Sequence, residues 1–253
     1  MELFLIRHGQ SANNANPLVE RNQDPPLTDI GAQQAARLAK WASSLQLTRI
    51  IASPFLRALP TAEELRRATG VPAEVWVEIH EQGGCCTGPD PMADLLSDRY
   101  QGRPGMSDAE IRALYPDFQL PPDIDHRGWW RSRPFESVAD ARLRVAAVIA
   151  RAQQEFGHTD ERIALVFHGM LKCLVLDSMF GGYVLENDDI IVPFNTSVTK
   201  VVITPQGTQL GFYNAVEHRT PERRAACRAG GTRLCLRTSY FGPSTNRLPT
   251  SPR

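Results

Sequence analysis

The chain has 253 residues and a mass of 28.1 kDa, with 28 basic and 28 acidic side chains that cancel to a formal charge of zero. That length suits one large domain or two small ones, and 42% apolar with 22% charged residues is a globular composition, neither disordered nor fibrous. Zero net charge argues against a wholesale binder of nucleic acid or acidic surfaces. It conceals a split, because Arg219–Arg253 holds eight arginines and one acid (Glu222), or +7, which leaves −7 in the first 218 residues.

Short apolar runs alternate with helical patterns. In chain order, strands are expected at Glu2–Ile6, Arg49–Ala52, Val75–Ile79, Ile163–Phe167, Ser197–Ile203 and Gln209–Tyr213. Helices are expected at Asp29–Ser43 behind the N-cap Thr28, and at Phe55–Thr69 ending on Gly70. Two more are expected at Val138–Phe156 between Ser137 and Gly157, and from His168 to Phe180 before Gly181-Gly182. This order predicts an α/β fold, a three-layer sandwich with a mainly parallel central sheet flanked by helices. Leu3–Ile6 and Ile163–Phe167 are apolar throughout, as strands covered on both faces should be. The last two runs flank Thr204-Pro205-Gln206-Gly207-Thr208 and are expected to form an edge hairpin.

Two stretches break the rhythm. Gln82–Arg133 is rich in Gly, Pro and Asp and reads as a cap insertion over the strand C-terminal ends, with a short helix near Asp108–Leu114. Arg219–Arg253 lacks apolar periodicity and is read as a disordered basic tail, separate from a domain spanning residues 1–218 and dispensable for turnover.

Ligands of α/β sheets bind beyond the carboxyl ends of the strands. The residues following the strand candidates are Arg7-His8-Gly9, Ser53 through Arg57, His80-Glu81-Gln82 and His168-Gly169. His, Arg and carboxylate converging on one edge suit phosphoryl transfer. Neutral imidazole is a good nucleophile near pH 7, guanidinium holds phosphate oxygens through paired donors, and a carboxyl group can protonate the leaving alcohol. Taken singly, His8 or His168 would more often be a core or surface histidine and Arg57 a solvated helix residue; their joint placement carries the functional reading.

Arg7-His8-Gly9 after an N-terminal strand, with Ser11 and Asn14 behind it, resembles the signature of the histidine phosphatase superfamily, which includes the cofactor-dependent phosphoglycerate mutases. Further matches are Pro26-Leu27-Thr28 with Gly31 and Gln34-Ala35, Ser53-Pro54 with Arg57-Ala58 and Thr61-Ala62, Glu81, Glu136-Ser137 with Arg144, His168-Gly169, and Asn195 with Ser197. The resemblance covers Met1–Tyr213 apart from the interior of the insertion. It departs from the family at Gln10, where relatives often carry Glu, and at Met170, where many have a second glycine.

The resemblance implies that His8 is the phosphorylated nucleophile. Arg7, Arg57 and His168 would line the phosphate pocket, with Asn14 as a polar contact and the Gly169 N–H as a further donor. Glu81 would protonate the leaving group and then help deprotonate water. It implies no metal and no cofactor, and a small phosphorylated substrate. In the mutases the segment after the catalytic Glu carries an Arg-rich, Tyr-Gly-containing stretch. Here Gln82-Gly83-Gly84-Cys85-Cys86-Thr87-Gly88 is small and uncharged, so a phosphomonoester hydrolase is preferred. A mutase-type isomerase stays as the alternative, with Arg99, Arg103, Arg127, Arg131 and Arg133 as sources of the missing charge, and a non-catalytic phosphate-binding adaptor ranks third.

Other features are read as incidental. Cys85, Cys86, Cys173, Cys227 and Cys235 form no even framework and fit a reducing compartment. The N-terminus has no signal-sequence pattern and no run approaches a membrane span, so a cytoplasmic protein is expected, with no membrane partner. A homodimer is left open. Asn195-Thr196-Ser197 matches a glycosylation pattern but precedes a strand. Trp129-Trp130 is read either as lining a substrate entrance or as a surface hinge packed by one tryptophan.

Overall fold

The computed structural model describes residues 1–16, 22–88, 99–181 and 193–218. The basic tail, with Cys227 and Cys235, and part of the cap insertion therefore lie outside the described residues. In chain order the elements are β1 (Glu2–Arg7), α1 (Ala12–Ala15), α2 (Asp29–Ala42), β2 (Arg49–Ala52), α3 (Leu59–Thr69) and β3 (Ala73–Val75). The insertion holds β4 (Cys86–Thr87), β5 (Gln101–Gly102), α4 (Asp108–Leu114) and β6 (Phe118–Gln119). Then follow α5 (Val138–Phe156), β7 (Arg162–Phe167), α6 (Gly169–Phe180), β8 (Val198–Thr204) and β9 (Gly207–Ala215).

Seven strands form one sheet in the order β6-β3-β2-β7-β1-β8-β9. The strands from β6 to β1 run parallel, while β8 and β9 are an antiparallel hairpin at one edge. Period-two alternation divides the interior into two cores. Phe4, Ile6, Ile50, Ala164 and Val166 face one side and meet Leu38, Ala39, Leu59, Ala62 and Leu65 of α2 and α3. Leu3, Leu5, Ile51, Ile163 and Leu165 face the other and meet Ala141, Val145, Val148, Leu171 and Leu174 of α5 and α6. The expected three layers are thus present, because the central strands are apolar on both faces.

Helix ends follow their capping residues. Thr28 accepts the Gly31 N–H at 3.1 Å, Ser137 accepts the Asp140 N–H at 3.1 Å, and Gly70 closes α3 in the left-handed region at φ +71°. Two expectations need correction. Val75–Ile79 is not one strand: β3 ends at Val75, and Val77–Ile79 is a 3-10 turn that sends Trp76 and Ile79 into one core and Val77 into the other. Phe55–Ala58 is a turn, not helix. Pro60 lacks an N–H and sits in the first turn of α3, where no donor is needed, so the helix begins at Leu59.

The insertion is more integrated than a lid. Its helix Asp108–Leu114 is as expected, but Phe118–Gln119 pairs parallel with β3 and extends the main sheet. Trp129 and Trp130 are both 3% exposed and join the core that faces α2 and α3. They neither line an entrance nor act as a surface hinge. Among the described residues no helix is long and apolar enough to cross a membrane.

Candidate active site

The register of the two central strands creates the site. Arg7 of β1 pairs with Phe167 of β7, so the next residues, His8 and His168, leave the sheet side by side with ring centroids 5.2 Å apart. The His8 backbone is held on both flanks: its N–H donates to Phe167 O at 2.9 Å, and its carbonyl accepts from Thr196 N–H at 3.2 Å and Asn195 Nδ2 at 3.1 Å. Gly9 then passes against the start of α2 so closely that a Cβ there would lie 2.5 Å from the Gly31 carbonyl oxygen.

His8 is 3% exposed, and its Nδ1 lies 2.6 Å from the Gly9 carbonyl oxygen. A carbonyl only accepts, so Nδ1 carries the proton and the lone pair resides on Nε2. Burial, reinforced by Arg57 and Arg7, holds its pKa well below 6.5, with the Gly9 bond opposing. At neutral pH the ring is therefore an uncharged nucleophile with one defined reactive nitrogen.

His168 is fully buried. Its Nε2 is 2.8 Å from Ser53 Oγ, at the end of β2, and its ring packs edge-on against Phe55 at 5.0 Å. Burial, with Arg57 and His8 adding, likewise holds its pKa well below 6.5. Arg57, from the turn after β2, lies over the Phe55 ring at 3.9 Å and 4.0 Å from Asp24 Oδ1. Arg7 donates from Nη1 to Pro193 O at 2.5 Å. Arg7 Nε and His168 Nδ1 are buried nitrogens without a hydrogen-bond partner. Unsatisfied buried nitrogens are costly, and an anion seated among them would satisfy them.

Glu81 arrives from the 3-10 turn rather than from a strand end. Its Oε1 accepts from Gln82 N–H and Leu171 N–H, both at 3.0 Å, and its Oε2 from Met170 N–H at 3.3 Å. The carboxylate thus sits on the positive end of α6. The Gly169 N–H is the first-turn donor that Glu81 does not use, and a Cβ at Gly169 would lie 3.3 Å from Arg7 Nε. Asn14 accepts at Oδ1 from Ser11 N–H, Ser11 Oγ and Asn195 Nδ2 at 3.1–3.2 Å, which fixes its amide and leaves Nδ2 as its remaining donor.

Several supporting residues carry no role in the sequence reading. Thr61 of α3 accepts the Gly9 N–H at 3.1 Å. Asp24 accepts the Leu56 N–H at 2.8 Å and faces Arg57; burial pushes its pKa up to about 7, against the opposing pull of Arg57. Arg144 of α5 forks onto Glu136 at 2.6 and 2.7 Å and donates to the Glu78 and His80 carbonyls at 2.5 and 3.2 Å. It therefore clamps the turn that carries Glu81. Only its place beside Glu136 in the matched motif signals it in the sequence. Among the described residues no group of three His, Cys, Asp or Glu side chains could hold a metal ion.

The sequence profile of the histidine phosphatase superfamily (branch 1) matches residues 3–216, and the chain belongs to that family. A glucosyl-3-phosphoglycerate phosphatase of Mycolicibacterium vanbaalenii is 29% identical over 184 residues, covering 71% of this chain and 74% of that protein. A probable phosphoglycerate mutase of Salmonella choleraesuis is 39% identical over 70 residues, only 28% of this chain and 33% of that protein. The solved structure of Bacillus stearothermophilus YhfR superposes with a TM-score of 0.61 at 24% identity, covering 86% of this chain and 98% of that one, and so shares the fold.

Proposed function

We propose that the protein is a phosphomonoester hydrolase that acts on a small phosphorylated metabolite through a phosphohistidine on His8. The observation that carries this reading is the neutral His8, its Nε2 lone pair fixed by the Nδ1 bond to Gly9, set beside two arginines and His168. In the first step Nε2 bonds to phosphorus, the bond from phosphorus to the ester oxygen breaks, and Glu81 gives that oxygen its proton. Arg7, Arg57, His168, Asn14 Nδ2 and the Gly169 N–H hold the phosphoryl oxygens as charge spreads over them. Water then attacks phosphorus, Glu81 takes a proton from it, the P–N bond breaks, and phosphate leaves a neutral His8.

Hydrolysis is favoured over isomerisation by where the insertion arginines go. Arg127 and Arg131 pair with Asp125 at 2.6 and 3.2 Å, and Arg103 donates to Thr87 Oγ1 at 3.2 Å. Arg133 donates to Trp130 O at 3.1 Å and lies over its ring. None of these, nor Arg99, lines the cleft at Arg57 and Glu81, where a mutase would need charge to retain a second anion. A cytoplasmic setting and the absence of a membrane partner belong to the same reading. The test is hydrolysis of p-nitrophenyl phosphate by wild type and His8→Ala. Loss of at least a thousandfold is expected, and full activity in the variant would sink the proposal.

A further inference from the structure

Beyond Arg57 and Glu81 the cleft continues along Asn22, Gln23, Gln82, Tyr100 and Phe135, and among the described lining residues Arg57 is the one cation. The hydrogen bonds of the amides show what they still offer. Gln82 Nε2 donates to Glu136 O at 2.7 Å, which fixes the amide and leaves Oε1 as an acceptor. Asn22 Oδ1 accepts the Asp24 N–H at 2.9 Å, which leaves Nδ2 as a donor. Gln23 keeps both halves of its amide. Mixed donors and acceptors without charge match hydroxyl groups, which also donate and accept. A carboxylate would instead call for guanidinium or ammonium.

The aromatic wall is built into this cleft. Tyr100 and Phe135 stack with centroids 4.1 Å apart at 20°. Each rests on a glycine: a Cβ on Gly83 would lie 2.4 Å from Phe135, and one on Gly88 would lie 2.5 Å from Tyr100. An apolar wall beside amides suits a ring that carries C–H surface on one side and hydroxyls at its rim.

We propose that the alcohol half of the substrate is an uncharged, hydroxyl-bearing ring, as in a sugar phosphate, and not a carboxylated alcohol such as phosphoglycerate. This rests on the hydrolase reading and specifies its substrate class. The experiment measures kcat/KM of the wild-type full chain for glucose 6-phosphate, ribose 5-phosphate and 3-phosphoglycerate, with p-nitrophenyl phosphate and His8→Ala run alongside. At least one sugar phosphate is expected to exceed 3-phosphoglycerate by about tenfold or more. Equal or higher kcat/KM for 3-phosphoglycerate, with His8-dependent aryl phosphatase activity intact, overturns this inference and leaves the hydrolase standing. Absence of any His8-dependent hydrolysis overturns both. In Gln23→Arg the ratio is expected to move about tenfold toward 3-phosphoglycerate; an unmoved ratio would contradict the role given to Gln23.

Discussion

Replacing Arg144 by alanine removes, in one change, the fork onto Glu136 and the two bonds to the Glu78 and His80 carbonyls. Glu136 is 10% exposed at its side chain, so its carboxylate would be left nearly buried without its cation. Breaking such a pair by removing one partner costs about 3–5 kcal/mol. Residual solvent contact puts the expected loss in Arg144→Ala near the lower figure, about 3 kcal/mol. Urea unfolding at pH 7.5 measures it as a lower midpoint at unchanged slope. The same change frees the turn that aims Glu81, so kcat is expected to fall about 10–100-fold with KM changed less than threefold. Arg144→Lys keeps the charge without the fork and should fall between. Stability within about 0.5 kcal/mol of wild type, together with an unchanged kcat, would refute the clamp.

The histidines make acid stability a second prediction. Burial holds His8, His80 and His168 well below 6.5, so below that pH the unfolded chain binds protons that the folded chain refuses. Stability is therefore full above pH 6.5 and is lost as pH falls below it; chemical denaturation with no loss between pH 7 and 5.5 would contradict it. The Asp24 carboxyl, raised to about 7, becomes an anion beside Arg57 as pH rises through neutrality. It is faced also by Cys85, Tyr115 and the Leu56 N–H. Asp24→Asn keeps an acceptor for Leu56 and removes the charge, so inhibition by inorganic phosphate at pH 8 should tighten about three- to tenfold, and little at pH 6; equal tightening at both pH values would separate the effect from this carboxyl.

Much of the layer structure is legible in the sequence because strands such as Leu3–Ile6 and Ile163–Phe167 are apolar on every residue, which only a sheet covered on both faces requires. Caps at Thr28, Ser137 and Gly70 mark helix ends by chemistry that works within four residues of chain. Val75–Ile79 misleads because β-branched residues fill a tight turn as readily as a strand when both neighbouring cores accept them. The two-residue strand Phe118–Gln119 is too short to show alternation, and its partner lies far away in sequence. Burial of Trp129 and Trp130 is tertiary, set by contacts with Phe55 and His80 that no local pattern announces. In the site, Arg7, His8 and His168 sit where strand ends put them. Asp24, Thr61 and Arg144 act through contacts to residues distant in sequence, and such pairings leave no periodic trace.

In the proposed cycle His8 carries the phosphoryl group during turnover. Rapid acid-free quench of the full chain with a 32P-labelled phosphomonoester, followed by peptide mapping, tests it directly. Label is expected on the peptide holding His8, lost in mild acid, stable in base and absent in His8→Ala. Turnover without labelled enzyme, or acid-stable label on another residue, would contradict it.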